Sequence, residues 1–244
     1  MAGKVYIVGA GPGDPELITV KGLRLLRKAQ VVLYDHLVHT SLLKEVPPEA
    51  RRVFVGKVAG HHSMKQEKIN RLLVENAQMG FTVVRLKGGD PFIFGRVGEE
   101  MEYLEAHGVP YEVVPGVTAA SAAASVGRFA LTHRHHASLI TFVTGHRREG
   151  KPLDLPFHLL ARLGGTLVVY MGLGTLEWLQ KGLLEGGMDP ALPVFLAHRV
   201  TWPQERLVVT TLGGMVEARD RERLTPPVLV VVGGVVQKRL NHVR

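Results

Sequence analysis

The chain has 244 residues, of which 45% are hydrophobic and 21% charged, and it contains no cysteine. This composition excludes a disordered or collagen-like chain, and the missing cysteines exclude disulfides, a thiolate nucleophile and zinc–thiolate sites. The net charge of +8 favours an acidic partner, such as nucleic acid, an anionic lipid or a polyanionic small molecule, without choosing among them.

The amino-terminal residues carry one early lysine and only a short apolar stretch, which is not typical of a signal peptide. Apolar runs throughout the sequence are also shorter than the roughly 18–20 residues that a membrane-spanning helix needs. From these two observations we expect a cytoplasmic protein without a membrane partner.

The first half alternates short apolar runs with helical patterns, which predicts an α/β fold with an open, largely parallel sheet and helices on both faces. The predicted strands are 5–8, 31–34, 52–55, 82–86 and 110–114. The predicted helices are 19–28, 65–78 and 97–107, the first with Thr19 as its N-cap.

Pro115-Gly116 marks a change in composition, and we predict a boundary there between domains 1–115 and 116–244. An Ala- and Ser-rich helix over 118–125 opens the second domain. The predicted strands that follow are 139–144, 166–171, 193–198, 205–210 and 228–232, and the predicted helices are 157–163, 175–184 and 215–219. Because the last strands have few crossover helices between them, we expect a mixed sheet here.

A glycine loop follows the first strand, with glycines at 9, 11 and 13. A dinucleotide-binding Gly-x-Gly-x-x-Gly motif would need its third glycine where Asp14 stands, and Pro12 offers no N–H to a phosphate. Asp35, at the end of the second strand, resembles a ribose-binding acid and keeps a nucleotide-binding dehydrogenase open as an alternative.

A second glycine turn, Gly88-Gly89-Asp90-Pro91, also follows a predicted buried strand. It can be a plain turn, but it shares its position at a strand end with the first glycine loop and with the segment 115–119. Since the carboxyl ends of parallel strands line one crevice, the three loops together predict a ligand site. Asp90 could accept hydrogen bonds from hydroxyl or ammonium groups there.

Three histidines, His133, His135 and His136, do not match the spacing of a metal motif, and neither does the pair 61–62. We therefore predict no metal. The stripe Leu176, Trp178, Leu179 and Leu183 is interpreted as helix core.

Several segments taken together resemble the tetrapyrrole (corrin and porphyrin) methylase family. They are VYIVGAGPGDPELITVKG at 5–22, VVLYDHLV at 31–38, VGKVAGHHSMKQEKIN at 55–70, VVRLKGGDPFIFGRVGEE at 83–100, VVPGVTAASAAAS at 113–125, LTHR at 131–134, VVYMG at 168–172 and PPVLVVVGGVV at 226–236. Within the family, the second, third and sixth of these favour the member that methylates uroporphyrinogen III. The resemblance covers essentially the whole chain.

The resemblance implies two α/β domains with the active site in the cleft between them. It also implies S-adenosylmethionine as methyl donor, S-adenosylhomocysteine as product, no metal, and a homodimer. The implied reaction is direct methylation of uroporphyrinogen III at two ring carbons to give precorrin-2, an intermediate of sirohaem and cobalamin synthesis. The alternatives are another methylase of the superfamily, acting on a later precorrin, diphthine or RNA, and the dehydrogenase named above or a non-catalytic binding module.

Site residues follow from the resemblance by matching motifs. The implied cofactor contacts are Pro12, Gly88, Gly89, Asp90, Ile93, Thr118, Ala119, Met171, Val200 and Val228. Val200 stands where the family has a glycine and Val228 where it has a small residue, so a contact of Val200 is expected through its backbone. Asp35 and Lys57 match positions proposed as proton acceptor and proton donor. Arg96, Glu99 and Arg134 match proposed substrate-binding or catalytic positions.

Overall fold

The computed structural model describes residues 3–56, 64–146 and 154–238. Its contacts divide the chain into two compact units, Met1–Ala119 and Ala120–Arg244. The predicted domain limit, between residues 115 and 116, lies shortly before this division and stays a prediction.

The first unit contains a five-stranded sheet in which every pairing is parallel, as the alternation of strands and helices predicts. The sheet order is β3-β2-β4-β1-β5. Its strands are β1 Val5–Gly9, β2 Val31–Tyr34, β3 Arg51–Phe54, β4 Val83–Lys87 and β5 Tyr111–Val114. The helices are α1 Val20–Leu26, α2 Gln66–Gln78 and α3 Val97–Ala106, and α4 Ala119–Gly127 begins at the division between the units.

Local sequence signals explain where these helices begin and end. The Thr19 side chain accepts a hydrogen bond from the backbone N–H of Gly22 at 3.0 Å, which caps α1 as predicted. Gly80 and Gly108 follow the ends of α2 and α3 with φ values of +89° and +62°. Glycine is favoured at such positions because it lacks the Cβ that makes left-handed backbone unfavourable.

The central strands of the first sheet, β1, β2 and β4, are buried on both faces, so successive residues of a strand join different cores. Val84 and Leu86 of β4 pack in a cluster that includes Leu26 of α1. Val83 packs in the opposite cluster, with residues of α2 and α3 such as Leu73 and Leu104. The expectation of helices on both faces is therefore confirmed.

The second unit contains a mixed five-stranded sheet of order β6-β7-β10-β8-β9, which confirms that expectation. Its strands are β6 Ile140–Thr144, β7 Thr166–Tyr170, β8 Pro193–His198, β9 Arg206–Thr211 and β10 Val228–Val232. Its further helices are α5 Phe157–Leu163, α6 Leu176–Glu185 and α7 Met215–Arg221. Among the strands that the structure describes here, only β6 and β7 pair in parallel, because β10 runs antiparallel to β7 and β8, and β9 antiparallel to β8.

Helix α6 corrects one detail of the predicted core. Leu176, Leu179 and Leu183 are fully buried, as expected, whereas 51% of the Trp178 surface is exposed. The three leucines recur every three or four residues and form one face, and Trp178 lies outside that face. Among the described residues, no helix combines the length and the apolar character needed to cross a bilayer.

Candidate functional site

Loops at the carboxyl ends of β1 and β4 are joined directly by their backbones. The N–H of Gly89 donates to the carbonyl of Gly11 at 2.7 Å, and the N–H of Gly11 donates to the carbonyl of Gly89 at 3.3 Å. The two predicted glycine turns therefore lie side by side, as the parallel arrangement of their strands requires.

The loop after β5 joins the same edge through a close approach of glycine backbones. A Cβ on Gly9 would lie 2.7 Å from the Cα of Gly116 and 2.8 Å from the carbonyl oxygen of Gly89. A Cβ on Gly116 would overlap that same oxygen. Gly9 and Gly116 are thus required for packing among the three loops, whereas a Cβ on Gly89 would meet no protein atom within 4 Å.

The Asp90 carboxylate fastens the second loop to the third. One oxygen accepts the backbone N–H of Phe92 at 2.7 Å, and the other accepts the backbone N–H of Gly116 at 3.0 Å. An ionised acceptor strengthens both hydrogen bonds. In the described structure Asp90 therefore acts first as a structural tie, with lone pairs remaining for a ligand.

The other implied cofactor contacts of the first unit lie on or beside these loops. Pro12 follows Gly11, and a Cβ on Gly88 would collide with Leu37. The Ile93 N–H donates to the Asp90 carbonyl at 3.3 Å. Thr118 and Ala119 lie where the third loop enters α4. The structure thus brings all seven implied contacts of this unit, together with Asp35 at the end of β2, to the carboxyl edge of one sheet.

Asp35 is partly exposed, with 21% of its side chain accessible. One carboxylate oxygen accepts the backbone N–H of Leu37 at 3.0 Å, and the other accepts Arg85 Nη2 at 3.3 Å. Arg85 belongs to β4, where it lies beside Leu33 of β2 in the parallel register. The carboxylate is therefore held by two donors at the edge of the sheet.

A buried ionic network lies behind Asp35, and sequence reasoning missed it. Arg85, Lys87 and Glu100 are at most 5% exposed. Glu100 Oε1 accepts Arg85 Nε at 3.2 Å and Lys87 Nζ at 2.9 Å, and its Oε2 accepts Lys87 Nζ at 3.0 Å. Gln66 of α2 adds a donor to the same carboxylate at 3.2 Å.

Burial is the main cause that lowers the pKa of Lys87, with the nearby Arg85 guanidinium acting in the same direction. Glu100 opposes both effects through its charge and hydrogen bonds. The sequence carried only a partial signal, because Arg85 is a charged residue inside the predicted buried strand 82–86 and Lys87 directly follows that strand.

Arg96 and Glu99 are brought together at the start of α3. Arg96 precedes the helix with a left-handed φ of +57°, and 56% of its side chain and 51% of that of Glu99 are exposed. Two parallel hydrogen bonds, both 2.7 Å, join the guanidinium to the carboxylate. These bonds raise the pKa of Arg96 and lower the pKa of Glu99.

In the second unit, Met171, Val200 and Val228 lie close to the same end of the inner strands of the mixed sheet: Met171 and Val200 follow β7 and β8, and Val228 begins β10. Val230 lies opposite Val169, a register that continues to Val228 opposite Met171, and Val228 pairs with His198 just before Val200. Met171 is half exposed and has a φ of +53°, whereas Val200 and Val228 are each 5% exposed. Contacts of these two valines with a ligand would thus fall mainly to their backbones.

Arg134 is not brought to this end of the strands. It is exposed in a turn closed by hydrogen bonds between His133 and Ala137. The Thr166 hydroxyl, at the start of β7, donates to the carbonyl of Leu131 at 2.7 Å. The segment that carries Arg134 therefore begins at the opposite end of the strands from Met171.

Lys57, the implied proton donor, lies outside the described residues, as does the histidine pair 61–62. Within the described ranges, no group of three or more His, Asp or Glu side chains could hold a metal ion. The prediction that the protein uses no metal stays a prediction.

The sequence matches the family described as Tetrapyrrole (Corrin/Porphyrin) Methylases over residues 4–216. A relative from Bacillus subtilis (strain 168), named Uroporphyrinogen-III C-methyltransferase, is 45% identical over 96% of this chain and 91% of its own length. A Siroheme synthase from Azotobacter vinelandii is 50% identical over 97% of this chain and 51% of its own length. This chain therefore belongs to the tetrapyrrole methylase family. It spans about half the length of the siroheme synthases it matches.

Solved structures agree with the family assignment. The Thermus thermophilus Uroporphyrin-III C-methyl transferase complexed with S-adenyl homocysteine has a TM-score of 0.83 and 44% identity, covering 98% of this chain and 96% of that one. A cobalt precorrin-4 methyltransferase has a TM-score of 0.86 and 32% identity, covering 96% and 95%. Since the family is one of methylases, its match disfavours the dehydrogenase alternative.

Proposed function

We propose that this chain transfers methyl groups from S-adenosylmethionine to two ring carbons of uroporphyrinogen III, C2 and C7, to give precorrin-2. The observation that carries the proposal is the 45% identity with the B. subtilis relative, because it extends over 96% of this chain and 91% of that protein. The three family segments that form the joined loops after β1, β4 and β5 support the same function.

The joined loops offer an accessible backbone surface that suits a polar methyl donor. Gly89 has a φ of +69°, and a Cβ placed there would point into open space, so the backbone around it is accessible to a ligand. Gly88 and Asp90 flank this position. Together with Pro12, Ile93, Thr118 and Ala119 they would hold S-adenosylmethionine, with Met171, Val200 and Val228 as the proposed contacts from the second unit.

S-adenosylmethionine supplies a sulfonium methyl group that a nucleophilic pyrrole carbon attacks, so that the C–C bond forms as the C–S bond breaks and the ring later releases a proton. Orienting two reactants in this way can lower a barrier by about 7–11 kcal/mol. Asp35 is the residue we propose to accept the ring proton, because its carboxylate is fixed by two donors and partly exposed at the sheet edge. Lys57 is the proposed proton donor.

The eight carboxylates of uroporphyrinogen III suit a basic protein. We propose that Arg96 and Arg134 bind acetate or propionate arms, for which the planar guanidinium is well shaped. Glu99 would release Arg96 when a substrate carboxylate takes its place. The net charge of +8 would then attract the polyanion over longer distances.

A second candidate function is methylation of a later precorrin, which is favoured by the TM-score of 0.86 with the cobalt precorrin-4 methyltransferase. We place it second because that structure is 32% identical, against 44% for the Uroporphyrin-III C-methyl transferase. We also propose that the chain acts as a cytoplasmic homodimer, without nucleic acid or membrane partners.

The decisive experiment incubates the protein with methyl-labelled S-adenosylmethionine and, separately, uroporphyrinogen III and a later precorrin. We expect two labelled methyl groups on uroporphyrinogen III and none on the later intermediate. Label found only on the later precorrin would favour the second candidate. Calorimetry with S-adenosylhomocysteine and NAD provides a separate check, since binding of NAD alone would contradict both methylase functions.

A further inference from the structure

The buried network behind Asp35 contains both charge signs and opens to the surface at one carboxylate. Arg85 and Glu100 lie between Lys87 and Asp35, and these four groups carry two positive and two negative charges. Asp35 is 21% exposed, whereas the side chains of the other three are at most 6% exposed. The network is therefore balanced in charge and ends at the carboxylate that we propose to accept the ring proton.

The fold explains why these groups meet. Arg85 and Lys87 alternate with the apolar residues of β4, so both point toward the face covered by α2 and α3. Glu100 lies one helical turn from Val97 and another from Leu104 on the buried face of α3. It thus occupies a core position of the helix directly over the two cations.

Glu100 is the centre of the network because it accepts hydrogen bonds from three side chains of two other elements. Those donors are Arg85 and Lys87 of β4 and Gln66 of α2, at 2.9–3.2 Å. Arg85 in turn is fixed at both ends, with Nε on Glu100 and Nη2 on Asp35. Its Nη1 donates to the Leu86 carbonyl at 3.0 Å. Rotating the Arg85 plane would therefore break several of these bonds together.

We propose that Glu100 is a positioning residue, which holds the Arg85 guanidinium in one orientation and through it the Asp35 carboxylate. This inference rests on the proposed function for the role of Asp35, but the geometry of the network does not depend on that role. A buried ion network is costly to desolvate. Apolar side chains of similar volume often give equal or higher stability, so stability alone does not account for these charges. The link of the network to a single partly exposed acid is consistent with a role in orientation.

The first test measures the position of Asp35 without using activity. The Leu37 N–H donates to Asp35, so its hydrogen exchange reports whether the carboxylate keeps its place. We expect Glu100→Gln to speed Leu37 exchange about tenfold while the amides of Val32 and Leu33 in β2 keep their rates. Glu102→Gln is the matched control, because it makes the same change at an exposed position of α3. Unchanged Leu37 exchange in folded Glu100→Gln would overturn the inference.

The second test is a double-mutant cycle with Asp35→Asn, measured as kcat for uroporphyrinogen III at saturating S-adenosylmethionine. We expect Glu100→Gln to lower kcat by about 10- to 100-fold, the scale of a small misplacement of a reacting group, while KM stays within about twofold. In the Asp35→Asn background the same change should have no further effect. An equal loss of kcat in both backgrounds would mean that Glu100 acts independently of Asp35, and the inference would be wrong.

Should Glu100→Gln fail to fold, Glu100→Asp takes its place in both tests, because it keeps the charge and withdraws the carboxylate by one methylene. We expect the same directions with smaller changes, and the same two outcomes would overturn the inference. A wild-type protein that does not methylate uroporphyrinogen III would contradict the proposed function alone. The Leu37 exchange would then still decide the inference about Glu100.

Discussion

Arg96 and Glu99 form a bidentate ion pair at the start of α3, in which Nε and Nη2 of Arg96 each lie 2.7 Å from a carboxylate oxygen of Glu99. The pair is exposed, so its contribution to stability is small despite its good geometry. Under the proposed function, the pair matters because Arg96 would bind a carboxylate of the substrate. The guanidinium is already oriented as it would be to receive a carboxylate, and Glu99 occupies that place in the free protein.

Arg96→Lys keeps the charge and removes the two parallel guanidinium N–H donors that can bind both oxygens of a carboxylate. Losing one charged hydrogen bond costs about 1.5–3 kcal/mol, so we expect uroporphyrinogen III to bind roughly ten- to a hundredfold more weakly. Binding of S-adenosylhomocysteine, measured by calorimetry, should stay unchanged. Arg71→Lys is a suitable control because Arg71 forms an exposed pair with Glu75 on α2. Wild-type substrate affinity in Arg96→Lys would end its proposed role as a carboxylate-binding residue.

Gly89→Val tests the joined loops as the cofactor surface. The valine side chain would project into open space from a backbone with φ of +69°, so it should block a ligand and cost about 1–3 kcal/mol in strain. We expect loss of S-adenosylhomocysteine binding in calorimetry. Gly108→Val is a matched control, with φ of +62° and equally open space after α3. It should lose similar stability and bind normally, and equal binding by both variants would remove Gly89 from the site.

Lys87→Met tests the electrostatics of the buried network. Because the pKa of Lys87 is lowered in the folded protein, the unfolded chain binds more protons between that pKa and the ordinary value of 10.5. The free energy of unfolding of the wild type should therefore increase as pH rises through this window, because Lys87 loses its proton in the folded protein first. Urea unfolding at several pH values should show that the variant lacks this increase in the free energy of unfolding. If the free energy of unfolding changed with pH in the same way in both proteins, the prediction for Lys87 would be wrong.

Thr19→Ala tests the cap of α1. The substitution removes the oxygen that accepts the Gly22 N–H, and we expect a loss of about 1 kcal/mol in the free energy of unfolding. Thr19→Ser keeps the oxygen and should restore most of the loss. Chemical denaturation of the three proteins measures the difference, and a Ser variant as unstable as the Ala variant would argue against the cap.

Strands and helices were largely predictable because their signals are local. The pattern of apolar residues placed most strands within one residue of their observed limits, and glycines at 80 and 108 marked two helix ends. The meeting of the glycine loops was also predictable, since parallel strands bring their carboxyl ends to one edge. The short 3-10 helices, such as Thr40–Glu45, were missed because one or two turns leave too little periodicity to detect.

The ionic network could not be predicted, because its members come from segments far apart in the chain. Asp35, Arg85 and Glu100 meet only through the parallel pairing of β2 with β4 and the packing of α3 over both. The pattern of β4 also suggested a purely apolar strand, although two of its five residues are charged. Tertiary pairing, rather than local preference, decides such positions.

The reciprocal hydrogen bonds between Gly11 and Gly89 have a consequence for the order of folding. Parallel strands can meet only after long crossover segments close, so contacts among residues 11, 89 and 116 carry a large entropic cost of chain closure. An amino-terminal fragment that stops before β5 therefore lacks one of the three loops. The edge formed by the three loops is therefore complete only in a chain that includes β5 and the residues that follow it up to Gly116.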